Sequence, residues 1–184
     1  MFYSVIIIIW SFGCFADRRG KFMKIDIIDD EIYIRDLKAF NLKAILECGQ
    51  AFRWNKNDDG EYTGIVCGMV LKARQVDDTL VFRSSGGIES ILFWVDYFDI
   101  ERDYLQLERE LKKDKNILPA INFSSGNRIL KQDPWECLIS FIISSNNRIS
   151  MIKTVIENLS SRFGSPIIFE DETYYSFPDY KTLS

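Results

Sequence analysis

The stretch that most constrains the fold is residues 132–150, QDPWECLISFIISSNNRIS, which joins a sharply defined helix start to a polar turn. Asp133 followed by Pro134 predicts the start, because a carboxylate accepts backbone N–H groups and proline at the first helical position loses no hydrogen bond. Apolar residues recur at helical spacing on both sides of SSNN, the hairpin tip (residues 144–147), and Gly164 ends the second stripe. The sequence therefore predicts a helical hairpin. Its apolar stripes are Trp135, Leu138, Ile139, Ile142 and Ile143, and Ile149, Ile152, Val155, Ile156, Leu159 and Phe163.

The preceding part of the chain, from residue 25 to residue 83, has short strand-like patterns instead. Isoleucines alternate with polar residues, and NDDG at residues 57–60 is typical of a hairpin turn. All apolar periodicity after residue 87 is interpreted as helical, so the fold class is predicted to be α+β, with an antiparallel twisted β-sheet followed by a partial α-helical domain. Predicted strands cover residues 51–54, 62–66, 69–74 and 79–83, and the first helical positions are Leu92, Val95, Tyr104, Leu105, Leu107 and Leu111.

Residues 1–22 differ from the rest, because a nearly unbroken apolar run is followed by DRRGKF and then by Met23. The run is short for a membrane span of about 20 residues, and its charges follow the apolar run instead of preceding it as in a secretory signal. Three interpretations remain open: an over-long translation start, a degenerate signal or anchor, and a buried first strand. The first is favoured, so residues 1–22 are predicted to be an apolar N-terminal extension outside the fold, with no membrane partner.

Composition excludes several kinds of chemistry. The chain has no histidine and four widely spaced cysteines without a C-x-x-C pair, which excludes Ser-His and Cys-His nucleophiles and argues against zinc. No metal or other cofactor is expected, and scattered cysteines are typical of a reduced cytosolic protein. The net charge of −4 lacks the basic footprint of a nonspecific nucleic-acid binder. Any DNA contact is therefore expected to be local, through helix N-termini, backbone amides and cations such as Lys131 and Arg148.

Several motifs follow one another at spacings that resemble one family. Because two separate motifs at the right separation rarely arise together by chance, the combination is highly specific. The motifs are CGQAFRW at residues 48–54, YFDI at residues 97–100 with Asp103, Tyr104 and Leu107 after it, RILKQDP at residues 128–134 leading to SSNN, then FG at residues 163–164 and FP at residues 177–178. From about Met23 onward the chain resembles the 8-oxoguanine DNA glycosylase / AP lyase family, and it is similar to the bacterial type.

The resemblance implies base-excision repair, in which the complete family protein removes 8-oxoguanine from double-stranded DNA and has AP lyase activity. Family members flip the damaged purine out of the duplex, since its glycosidic carbon cannot be attacked within the stack. An antiparallel sheet domain is implied at residues 23–122. An incomplete helical glycosylase domain, C-terminally truncated and lacking the helix-hairpin-helix, is implied at residues 123–184. The implied location is the cytoplasm, in association with a bacterial nucleoid.

The resemblance also assigns binding residues. In the family the glycine of the first motif, here Gly49, places its backbone carbonyl to accept the hydrogen on N7 that 8-oxoguanine has and guanine lacks. Asn146 matches the asparagine that fills the gap left by the flipped base, with Asn147 beside it. Met151 stands where many eukaryotic members have an arginine that donates to the opposite cytosine, and weaker discrimination of that base is expected. Taken alone, Gly49 would be a turn glycine and Asn146 a hairpin cap.

No catalytic residue is assigned in this chain. The family's catalytic lysine lies in a helix-hairpin-helix segment and its aspartate follows later, and neither segment has a match here; Lys153 is predicted to be a solvated surface ammonium. The chain alone is therefore expected to be an inactive N-terminal portion that needs a missing C-terminal segment or chain. Two alternatives remain: a non-catalytic DNA-binding or protein-interaction module that reuses the sheet domain, and a membrane-tethered protein. Residues 50 and 52–54 are predicted to pack the sheet and support Gly49, and Trp135 is predicted to lie in the core.

Overall fold

The computed structural model of the protein describes residues 13–16 and 22–183, with side chains from residue 23 onward. The main feature of this part is a seven-stranded antiparallel sheet. Its strands are β1 (Gly13–Ala16), β2 (Phe22–Ile28), β3 (Glu31–Arg35), β4 (Trp54–Lys56), β5 (Tyr62–Val66), β6 (Met69–Val76) and β7 (Thr79–Ser84). Across the sheet they lie in the order β1-β2-β3-β7-β6-β5-β4. The predicted antiparallel sheet is confirmed.

Tight turns fix the register of the central strands. Cys67 and Gly68 both adopt positive φ, at 48° and 76°, as a two-residue turn between right-twisted strands requires. They place Val66 opposite Met69 across β5 and β6. The predicted strand at residues 62–66 is confirmed, whereas the strand predicted at residues 51–54 begins only at Trp54.

Six α-helices follow or cover the sheet in the described part of the chain. The hairpin of α5 and α6 was predicted and is confirmed: the Asp133 side chain accepts a hydrogen bond from the Glu136 amide at 2.8 Å, and α6 ends at Gly164. No helix among the described residues combines the length and the apolar character that crossing a membrane requires. The helices are α1 (Leu42–Glu47), α2 (Ile91–Tyr97), α3 (Tyr104–Leu111), α4 (Leu118–Phe123), α5 (Pro134–Ser144) and α6 (Ile149–Phe163).

The centre of the core lies between the sheet and α1 and α2. Trp94 on α2 is completely buried, and its indole N–H donates to the hydroxyls of Ser84 at 3.0 Å and Ser90 at 3.1 Å. Leu92, which the sequence pattern assigned to the apolar stripe, is instead 50% exposed. The buried face of α2 is therefore formed by Ile91, Trp94, Val95 and Tyr97.

A second, two-stranded sheet contradicts the prediction that all later periodicity is helical. Strands β8 (Pro166–Phe169) and β9 (Glu172–Tyr175) form an antiparallel hairpin. Glu170 and Asp171 adopt φ of 49° and 62°, so they form a tight two-residue turn that a helical reading overlooks. The Glu170 carboxylate also pairs with sheet residues, at 2.9 Å from Lys72 Nζ and 2.6 Å from Arg83 Nε.

Part of the N-terminal extension lies in the sheet, which differs from the prediction that residues 1–22 stand outside the fold. Strand β1 pairs with β2, with Gly13 opposite Ile25 and Ala16 opposite Phe22. Strand β1 supplies backbone hydrogen-bond partners along the edge of β2, whereas the predicted burial of a first strand stays a prediction. The predictions for residues 1–12 and 17–21 lie outside the described residues.

Candidate functional site

The loop that contains Gly49 begins where α1 ends. We call residues 48–53 the Gly49 loop. Gly49 has φ of +85°, a conformation that glycine adopts without strain and that side-chain-bearing residues disfavour. The space beside it is open, because an added Cβ would meet no heavy atom within 4 Å outside the neighbouring residues. Among the described residues none donates a hydrogen bond to the Gly49 carbonyl, so this oxygen can accept one from a ligand.

The side chain of Gln50 fastens the Gly49 loop to the segment that precedes α5. Its amide nitrogen donates to the carbonyls of Ile45 at 2.9 Å and Arg128 at 2.8 Å. Its amide oxygen accepts from the Leu130 backbone N–H at 2.9 Å. The backbone carbonyl of Gln50 in turn accepts from the Gln132 side chain at 2.6 Å. Gln50 was predicted to pack the sheet and to support Gly49; its side chain instead bonds to residues outside the sheet, and its support of Gly49 stays a prediction. The contact made by Gln132 was not predicted.

Arg53, which is buried, and Glu136, which is partly buried, lie close together at the end of the Gly49 loop. The Arg53 residue is 5% exposed, and its guanidinium donates to the Tyr175 carbonyl, joining the loop to β9. Its Nη1 lies 4.0 Å from Glu136 Oε2, and Nε and Nη1 have no hydrogen-bond partner among the described residues. Burial raises the pKa of the Glu136 carboxyl to about 7, although the nearby Arg53 charge opposes that rise. Burial also lowers the pKa of Arg53.

The hairpin tip exposes polar side chains. α5 ends at Ser144 with Ser145 as its cap, and Asn146, which follows, adopts φ of 62°; the exposed Asn146 side chain has no hydrogen bond to any described residue. The capping bond is made by Asn147, whose amide donates to the Ile143 carbonyl at 2.8 Å. Met151 lies in the first turn of α6 and is 53% exposed. The structure therefore groups Asn146, Asn147 and Met151 at the tip, while the Gly49 loop is fastened beside Gln132, at the other end of α5.

Lys153 differs from its prediction as a solvated surface ammonium. Its Nζ donates to the Trp54 carbonyl at 2.5 Å and lies 3.3 Å from the Asn55 side-chain oxygen, so it connects α6 to the edge strand β4. Burial lowers its pKa. The sequence signal for this contact was the position of Lys153 directly after Ile152, at the border of the stripe that α6 buries.

The described residues leave much of the apolar surface of the α5–α6 hairpin exposed. The spacing of the apolar residues predicted the two stripes but not which of their side chains are covered. Trp135 is only half-buried, contrary to its predicted core position, because it lies against the C-terminal segment: its indole N–H donates to the Pro178 carbonyl at 3.0 Å. The side chains that form the uncovered surface, here called the apolar hairpin face, are Leu138, Phe141, Ile142, Ile149, Val155 and Phe163.

The acidic and thiol groups of the site do not gather into a cluster. Across residues 13–16 and 22–183 no three cysteine, aspartate or glutamate side chains lie close enough together to hold a metal ion. Cys48, Cys67 and Cys137 are free thiols, and burial raises the pKa of Cys67. What the site offers is a partly exposed backbone acceptor at Gly49 and exposed amides at the hairpin tip, groups that act by hydrogen bonding.

Comparison with known sequences places this arrangement in a family. Residues 32–138 match the family described as 8-oxoguanine DNA glycosylase, N-terminal domain. The N-glycosylase/DNA lyase OGG1 of Arabidopsis thaliana is 32% identical over 145 residues, which cover 74% of this chain and 39% of the relative. The N-glycosylase/DNA lyase of Saccharomyces cerevisiae is 34% identical over 159 residues, which cover 78% and 42%. The chain thus spans about two fifths of the length of these curated relatives.

Solved structures show the same fold at appreciable identity. The 8-oxoguanine glycosylase/lyase of Clostridium acetobutylicum, in complex with double-stranded DNA containing cytosine opposite 8-oxoguanine, is 35% identical with a TM-score of 0.83, covering 95% of this chain and 57% of its own. MBOgg1 in complex with a low-affinity DNA ligand is 42% identical with a TM-score of 0.83, covering 88% and 56%. Because the family match spans more than half of the chain and includes both the Gly49 loop and the start of α5, this chain belongs to the 8-oxoguanine DNA glycosylase family.

Proposed function

We propose that this chain supplies the lesion-recognition part of a DNA glycosylase/lyase that removes 8-oxoguanine from double-stranded DNA. The observation that carries the proposal is the Gly49 carbonyl, which stands in a left-handed loop and accepts no hydrogen bond from a described residue. The N7 of 8-oxoguanine carries a hydrogen, so it can donate to this carbonyl. Guanine presents a lone pair at N7 instead, and the carbonyl, covered by the bound base, would then remain unpaired at a cost of about 1–3 kcal/mol.

The hairpin tip supports a role in holding opened DNA. Chemistry at the glycosidic carbon requires the nucleotide to leave the base stack, and the gap must be filled to keep the duplex open. Asn146 can fill that gap, because its exposed amide carries both hydrogen-bond donors and acceptors that are not used within the described fold. Met151 offers no donor to the base opposite the lesion, so weaker discrimination among opposite bases is part of the proposal.

Excision itself belongs, in this proposal, to a longer protein or to a partner chain. A lysine that forms a Schiff base must present a free amine at the sugar carbon, whereas the Lys153 ammonium is bound to the Trp54 carbonyl. The apolar hairpin face supports the same view, since further helices of a complete glycosylase domain would remove it from water.

The first prediction concerns the isolated chain of 184 residues. We expect it to bind a duplex containing 8-oxoguanine more tightly than the matched guanine duplex, by about tenfold, which corresponds to one hydrogen bond of about 1.4 kcal/mol. Fluorescence anisotropy at fixed salt measures both affinities. We also expect no covalent adduct after borohydride treatment. Equal affinities would refute lesion recognition, and a trapped adduct would refute the proposed absence of a catalytic amine.

The second prediction isolates the side chain of Asn146. In Asn146→Gly the amide is lost while the positive φ of 62° stays accessible, so the hairpin tip keeps its backbone shape. We expect the affinity for lesion duplex to fall by about 5- to 30-fold, as the loss of 1–2 kcal/mol of hydrogen bonding predicts. The control is Asn158→Ala, which removes an exposed amide from α6 away from the tip. Equal effects of the two substitutions would contradict the gap-filling role.

A further inference from the structure

The position of the Gly49 carbonyl is not set by contacts of Gly49 itself. The residue has no side chain, the space beside it is open, and its neighbour Cys48 is exposed. At φ of +85° the glycine can rotate over a wide range with little cost. A carbonyl that distinguishes two purines by one hydrogen atom must nevertheless be held in one orientation, so another residue has to hold it.

Gln50 is the residue joined to that carbonyl. The Gly49 carbonyl and the Gln50 amide belong to one planar peptide unit, so holding the Cα, side chain and carbonyl of Gln50 restricts the positions of this oxygen to rotation about the N–Cα bond of Gln50. Gln50 is held on two sides: its side chain makes three hydrogen bonds, two as donor and one as acceptor, with main-chain groups. Its own carbonyl is held by the Gln132 amide at 2.6 Å. Only a primary amide supplies this combination of donors and acceptor at one site.

The segment on which the two glutamines act is itself anchored. The Arg128 guanidinium is buried and donates to the carbonyls of Ala39 at 2.9 Å, Lys38 at 2.8 Å and Asp99 at 2.6 Å. The Lys131 amide donates to the Tyr97 carbonyl at 2.9 Å. Arg128 and Leu130 are therefore buried in a segment bound to neighbouring main chain, and the hydrogen bonds of Gln50 to these two residues tie the Gly49 loop to that segment.

We propose that Gln50 and Gln132 are positioning residues that hold the Gly49 carbonyl in the orientation that accepts a hydrogen bond from the oxidised purine. Their contribution is to the discrimination between lesion and normal base, and only to a small degree to general DNA affinity. This inference rests on the function proposed above. It also gives the residue that precedes α5 a part in base recognition, because Gln132 comes directly before Asp133, the N-cap of that helix.

The test compares the affinity ratio for lesion over guanine duplex in the wild type and in Gln132→Met. Methionine keeps the length of the side chain and removes the donor to the Gln50 carbonyl. We expect the ratio to fall by about fivefold, through weaker binding of lesion duplex and unchanged binding of guanine duplex, as the weakening of one hydrogen bond predicts. Gln132→Asn, which keeps an amide but is one methylene shorter, should lower the ratio as well and serves if the methionine variant does not fold.

The matched control is Gln75→Met, because Gln75 on β6 makes a similar set of hydrogen bonds to main-chain groups. It accepts from the Leu42 amide at 2.7 Å and donates to the carbonyls of Phe40 and Asp77. We expect this variant to lose a comparable amount of stability in urea while keeping the wild-type ratio. An unchanged ratio in folded Gln132 variants, or an equal loss in Gln75→Met, overturns the positioning role and leaves the proposed function standing. A wild-type ratio of one overturns the proposed function and this inference together.

Discussion

Replacing Trp94 by alanine is expected to lower the free energy of unfolding by about 4 kcal/mol, the largest effect foreseen for a single side chain. The indole is completely buried on α2 and packs edge-on against Phe93 and Tyr97, with ring centroids 4.9 and 5.7 Å away. Its removal would leave a cavity against the sheet and would take away the hydrogen bond that the indole donates to the hydroxyls of Ser84 and Ser90. Such a loss approaches the whole stability of a marginally stable domain.

The matched control for Trp94→Ala is Leu92→Ala, two residues earlier on the same helix. Leu92 is 50% exposed, so the same truncation should cost less than about 1 kcal/mol. Urea unfolding followed by circular dichroism, with the midpoint and the slope both reported, measures the two losses. Similar losses for the two variants would mean that the helix turns its other face to the core.

A second large effect is expected from Glu136→Gln as the pH rises. Burial raises the pKa of Glu136 from its ordinary 4.5 to about 7, so the folded protein favours the protonated carboxyl. Between these two values the unfolded chain is ionised while the folded chain still holds a proton. Unfolding therefore releases a proton, and the free energy of unfolding falls with rising pH, by about 3 kcal/mol over the whole interval at 1.36 kcal/mol per unit.

The glutamine variant imitates the protonated carboxyl and should lose this pH dependence. We expect wild type and Glu136→Gln to be similarly stable at pH 5 and the variant to be more stable at pH 8, with urea midpoints measured at one-unit steps. Glu89→Gln, which neutralises an exposed carboxylate shortly before α2, is the control and should leave the wild-type slope intact. A Glu136→Gln curve parallel to that of the wild type would show that Arg53 pairs with the ionised carboxyl more strongly than its 4.0 Å distance indicates.

Local chemistry in the sequence predicted the elements whose boundaries are set by near neighbours. Asp133 and Pro134 start α5 as expected, and the turn at Cys67 and Gly68 closes the predicted hairpin. The hairpin of β8 and β9 was missed, because its turn, Glu170-Asp171, contains no glycine and depends on two side-chain-bearing residues at positive φ. Its pairing with Lys72 and Arg83 spans about a hundred residues of chain, a distance that no sequence window covers.

The candidate site likewise contains residues that the sequence predicted and contacts that it did not predict. Gly49, Asn146, Asn147 and Met151 were predicted from motifs, and the structure shows where they lie: an open left-handed loop and an exposed tip. Their roles toward DNA stay predictions. The contacts of Gln132 and Lys153, and the burial of the Arg53 and Glu136 pair, were not foreseen, since each depends on a partner from a different element of the fold.

By itself the sequence determined the α+β class, the helical hairpin with its polar tip and the resemblance to one family, because caps, turns and periodicity are properties of residues close together in the chain. Only the tertiary structure decided which face of α2 is buried, that residues 13–16 join the sheet, and how the Gly49 loop is fastened to residues 128–132. Burial and long-range hydrogen bonds arise only when distant segments share one core, and in this protein they determine the position of the carbonyl proposed to recognise the lesion.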